Sequence, residues 1–88
     1  MNNITETVNT YLLDTLSVEP GKQPRLKLGI FKKEHPPRGF TIKLNPDPEE
    51  DAIVTHVTSI EIDDNSYELV LHIANYGIET IRAEVWRM

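Results

Sequence analysis

From Arg25 onward, apolar side chains recur at alternate positions: Leu26, Leu28 and Ile30, then Phe40, Ile42 and Leu44. Alternation of this kind gives a strand one apolar face and one polar face. The same reading gives five strands, at about 25–31, 39–45, 53–62, 67–74 and 80–88. Upstream the period changes. Ile4, Val8, Tyr11, Leu12 and Leu16 are spaced by three and four residues, which predicts an amphipathic helix over about 4–16. Asn3 is its cap, with Glu6 three residues on, and Glu19-Pro20-Gly21 its stop. An isolated helix of this length is marginal in water, so it needs a sheet to bury its stripe.

The fold expected from this pattern is α+β: one N-terminal helix packed on an antiparallel sheet of about five strands, in a single domain spanning 1–88. The alternative is a small β-sandwich or open barrel with an N-terminal helix. Two hairpins are predicted. Pairing Ile30 with Phe40, Leu28 with Ile42 and Leu26 with Leu44 gathers six apolar side chains on one face. Asp63-Asp64-Asn65-Ser66 has turn chemistry, and a two-residue loop there pairs Ile62 with Tyr67, Ile60 with Leu69 and Thr58 with Leu71. Between the hairpins, Asn45 to Asp51 is an acidic loop broken by Pro46 and Pro48.

Composition narrows the class. At 88 residues, 39% hydrophobic and 26% charged, the chain has the make-up of a small globular domain. It contains no cysteine, which excludes disulfides, thiolate metal sites and a cysteine nucleophile. The first residues lack the basic and apolar regions of a signal peptide, and no run approaches the roughly 18 apolar residues of a membrane span. The expected location is the cytoplasm, with no membrane partner.

Charge is unevenly placed. Seven of the nine Lys and Arg residues fall between Lys22 and Lys43, where Glu34 is the only acid, although the net charge is −5. On the predicted hairpin, Lys32, Lys33 and Arg38 form a basic tip, while Lys27 and Lys43 occupy the outer face. Phe31 and Phe40 flank the tip.

Candidate chemistry is sparse. Alternation puts His56 on the inner face and His72 on the outer one, so the two cannot share a metal. Zinc needs three or four converging ligands. The carboxylates of Glu49-Glu50-Asp51 and Asp63-Asp64 lie in exposed loops rather than in the dry cleft that acid–base chemistry needs. The segment from Asn45 to Asp51 also lacks the glycine and spaced acids of a calcium loop. The serines lack a nucleophile-elbow context, and the scattered glycines form no phosphate cradle. No enzyme, cofactor or metal site is expected.

The expected function is a non-enzymatic protein-binding module whose partner is another protein or a second copy of the chain. Its contact residues are Val57, Val70, His72 and Trp86 on the outer sheet face, with the basic tip of Lys32, Lys33 and Arg38 as a second surface. Contiguous apolar area around a Trp is the usual signature of such a surface. The alternative is nucleic-acid or phosphate binding through the basic hairpin 22–43. The acidic remainder of the chain weighs against that.

Overall fold

The computed structural model describes residues 10–88, and over that range the chain is all strand. Six strands run in order: β1 (Tyr11–Val18), β2 (Arg25–Lys32), β3 (Phe40–Asn45), β4 (Ile53–Glu61), β5 (Ser66–Asn75) and β6 (Ile81–Arg87). They form two three-stranded antiparallel sheets, β1-β6-β3 and β2-β5-β4. The helix on a five-stranded sheet, and the helix-bearing sandwich or barrel, are therefore corrected. Residues 4–9 of the expected helix lie outside the described residues; Tyr11 to Leu16 belong to a strand.

The reason lies in β1 itself. Thr15 and Val18 are β-branched and favour extended backbone. Pairing with β6 buries Val18 completely beside Ile81, at 0% and 3% exposure. A bulge between Leu12 and Asp14 adds one residue to the strand. That extra residue breaks strict alternation, so the leucines acquire a spacing that resembles a helical stripe. Tertiary pairing outweighs that weak local signal.

The sheets face each other across a core of Val18, Ala83 and Val85 from one and Leu28, Leu71 and Ile73 from the other. Leu16, Leu26, Phe40, Ile42, Leu44, Ile53 and Leu69 pack around it. Burying these side chains is the main favourable term in folding. The expected hairpin between β2 and β3 does not form. β2 pairs with β5 and β3 pairs with β6, so the chain crosses from one sheet to the other between them. Leu26, Leu28, Phe40, Ile42 and Leu44 still point inward, now from opposite walls. Ile30 does not, because a bulge between Lys27 and Gly29 reverses parity and leaves it 64% exposed.

That bulge depends on Gly29, whose φ of +138° suits a residue without Cβ. A Cβ there would meet the Phe31 ring at 3.1 Å. Phe31 takes the buried place instead. Its ring lies 6.1 Å from those of Phe40 and Tyr67, with the Arg87 guanidinium 5.0 Å above it. This aromatic group ties β2, β3, β5 and β6 together at one end of the sandwich.

Asn75 closes the other end. It is 1% exposed, and its amide nitrogen donates to the carbonyls of Val18 and Glu79, both at 2.8 Å. Its amide oxygen accepts from the Gly77 N–H at 2.8 Å. The main chain of Asn75 also bonds Lys22 and Gly21. One side chain thus joins β5, the end of β1 and the turn into β6. Asn75→Ala would leave buried carbonyls and an amide without partners, and is expected to lower the unfolding free energy by about 3 kcal/mol. Urea denaturation measures this; a loss under about 1 kcal/mol would show that water substitutes freely for the side chain.

Candidate functional site

The β4–β5 hairpin decides which side chains are presented. Its loop contains three residues, not two. The Asp63 carboxylate accepts a hydrogen bond from the Asn65 N–H at 2.8 Å, and this bond is the main cause of its pKa lying below the ordinary value. Drawing Asp63 into the turn leaves Ile62 bonded across to Ser66. The register is accordingly one residue off the expected one: Thr58 faces Val70, Ser59 faces Leu69 and Ile60 faces Glu68.

A one-residue change of register moves every side chain of a strand to the opposite face. Ile60 and Ile62 therefore leave the core side and stand about half exposed. Val57 moves inward, opposite Leu71, but is also half exposed because β4 lies at the sheet edge.

The same shift brings His56 and His72 together, correcting the expectation that they face opposite ways. They are direct cross-strand neighbours, with rings stacked 4.4 Å apart and 3° from parallel. His72 Nε2 is 2.9 Å from the Thr58 hydroxyl, and Arg25 is its neighbour on β2. Partial burial of the ring, followed by the charges of His56 and Arg25, holds its pKa below the ordinary histidine value. Two imidazoles are not a metal site. Among the described residues no group of three or more His, Asp or Glu is placed to hold an ion.

The four residues expected to share a patch are divided. Val70 and His72 lie on the outer face of β2-β5-β4, Val57 lies on the reverse of that sheet, and Trp86 belongs to the other sheet. Trp86 faces Leu12 and Thr41 across the strands, not Glu68. Its indole N–H donates to a Glu84 carboxylate oxygen at 3.3 Å, and Lys43 Nζ sits 5.3 Å from the ring centre. The outer face that contains Val70 and His72 also presents Val54, not singled out from the sequence, and Ile30 and Ile60, which the sequence pattern assigned to the core face. The signal for Val54 and Ile60 was the turn chemistry at Asp63, which permits a three-residue loop as readily as a two-residue one; for Ile30 it was Gly29, which permits a bulge.

The basic block is dispersed as well. Lys32, Lys33 and Arg38 are exposed around the crossing loop, where Lys33 pairs with Glu61 at 2.9 Å. Lys27 lies on the outer face of one sheet and Lys43 on that of the other. A cleft of about 320 Å³ opens at the Asn75 end, between the acidic loop at Glu49, Glu50 and Asp51 and the turn at Tyr76 and Ile78. Its carboxylates are on loops, and Asn75 at its base already has all its partners. Among the described residues no helix is long and apolar enough to cross a membrane. Comparison with known protein families, curated proteins and solved structures finds no match.

His72 gives the fold a pH dependence of definite sign. A depressed pKa in the folded state means that the unfolded chain binds protons first as pH falls. The contribution is therefore complete above the ordinary histidine value and is lost as pH drops through the lower, folded one. Urea midpoints are expected to be level from about pH 8 to pH 7 and then to decline toward pH 5. Part of that decline should be absent in the His56→Gln, His72→Gln double variant. An identical decline in the double variant would assign it wholly to other groups.

Proposed function

We propose that the chain is a small, non-enzymatic protein-binding module that engages its partner with the β2-β5-β4 sheet, at the outer face and the β4 edge. The observation that carries this reading is the exposure of Ile30, Val54 and Ile60, at 64%, 47% and 51%, on a regular sheet surface. Apolar side chains on such a surface gain by being covered, at about 25 cal/mol per Å². Arg25, Lys27 and Glu68 lie among them and supply polar contacts at the margin, the usual anatomy of a binding patch. Trp86 lies on the opposite sheet, apart from this surface, with its ring already engaged by Lys43 and Glu84.

Nucleic-acid binding has weaker support, because Lys27 and Lys43 project from opposite sheets and Lys33 is paired with Glu61. A backbone-tracking site needs its cations on one surface. At low salt, single- and double-stranded oligonucleotides are expected to leave the chain's mobility unchanged. A salt-sensitive shift that Lys32→Ala with Lys33→Ala abolishes would reverse the ranking. The leading reading is tested with a photoreactive residue in place of Ile60, used in extract of the native host. It should give a defined protein adduct, whereas the same residue in place of Thr41 on the other sheet should not. Equal labelling from both positions, or none from Ile60, would remove the support for this surface.

A further inference from the structure

The six strands leave four edges, and three are guarded. β1 carries a bulge, β2 carries a bulge with Arg25, Lys27 and Lys32, and β3 is a short six-residue strand bearing Lys43. Bulges, lysines and shortness are the devices by which native sheets prevent edge pairing. β4 has none of them. Its nine residues pair with β5 without a register break, contain no proline or lysine, and carry no charge before Glu61.

Which of its backbone groups are free follows from two hydrogen bonds. Ile62 N–H donates to the Ser66 carbonyl, and Ala52 carbonyl accepts from Tyr76 N–H. Even-numbered residues of β4 are thus bonded to β5, and odd-numbered ones direct N–H and C=O outward. Ile53, Thr55, Val57, Ser59 and Glu61 form this outward row. Among the described residues no other segment bonds to it.

We infer that the partner of this edge is a second copy of the chain, joined through antiparallel pairing of β4 with β4 about a two-fold axis at Val57. This rests on the reading of the sheet as a binding surface and names its occupant. The strand is self-complementary about that point. Val57 faces Val57 of the second copy, Thr55 faces Ser59, and Ile53 faces Glu61, all through outward groups able to exchange hydrogen bonds. Between them, on the outer face, Val54 meets Ile60 and His56 meets Thr58. Val57 opposes Val57 and Val54 opposes Ile60, Ile53 lies opposite Glu61 at the strand ends, and no charge opposes its like. Shifting the axis to Thr55 or Ser59 leaves strand residues unpaired and separates Val54 from Ile60. Only the axis at Val57 pairs all nine residues, in the isologous arrangement that a two-fold dimer requires. The product is a continuous six-stranded sheet in which the half-exposed Val54 and Ile60 rows are shared.

Sedimentation equilibrium of the full chain should give a mass rising with concentration toward twice 10.1 kDa. Amide exchange at Thr55, Val57 and Ser59 should slow in step with it. Val57→Lys places a charge at the axis, and Ser59→Pro removes an outward N–H that β5 does not use. Each should weaken dimerisation at least tenfold, while circular dichroism shows the fold retained. A chain that stays monomeric at every concentration overturns the inference, and so does a dimer that both variants leave intact. If the chain is monomeric yet the probe at Ile60 still yields a host-protein adduct, the self-pairing fails and the binding reading stands. If both fail, the surface itself is misassigned.

Discussion

The arrangement of the two sheets depends on a single buried amide. Sheets in a sandwich are held mainly by apolar contact, which is non-directional and leaves their relative placement loosely specified. Asn75 supplies direction. Its side chain reaches the last carbonyl of β1 and the turn before β6, while its main chain holds the connection into β2. Because every polar atom of the group is used, it can be buried without the cost of an unsatisfied donor or acceptor. The cleft beside the acidic loop adjoins this clamp: the turn on one side is held by the Asn75 side chain, and the loop on the other is joined to it where the Ala52 carbonyl accepts from the Tyr76 N–H.

The opposite end is organised by shape. The bulge at Leu28 and the absence of a side chain at Gly29 rotate β2 by one step, which buries Phe31 under Arg87 and turns Ile30 out to solvent. A bulge commonly re-aims side chains in this way. Here it makes one part of the core and one part of the candidate surface in a single adjustment. The exposed isoleucine is the counterpart of the buried phenylalanine.

The outer face of β2-β5-β4 arises from a similar shift at the Asp63 turn. One carboxylate–amide hydrogen bond lengthens the loop by a residue, and through the period of two that choice reaches every position of β4. It stacks His56 on His72, exposes Ile60 and Ile62, and leaves Val57 at the middle of an open edge. The proposed surface and the proposed self-pairing both follow from that register. Trp86, the residue that most resembled an anchor, is separated from the patch because β6 joins the other sheet.

Alternation along the chain, read alone, located the extended segments after Arg25 and the inward parity of Leu26, Leu28, Phe40, Ile42 and Leu44. Those features are local, since a pleated strand with one wet face must alternate wherever it lies. The sequence also determined the lack of any thiol chemistry and the uneven placement of charge. The turn at Asp63 made the β4–β5 pairing legible, but the partners of β2 and β3 were not, because a loop of several residues serves a hairpin or a crossing between sheets equally well. Nor was the strand character of Tyr11 to Leu16, where a bulge imitates helical spacing and only pairing with β6 resolves the ambiguity. Register, and with it the identity of the candidate site, was decided by tertiary structure. It depends on the bulges and on one side-chain hydrogen bond in a turn, each small in energy and each able to exchange the two faces of a strand.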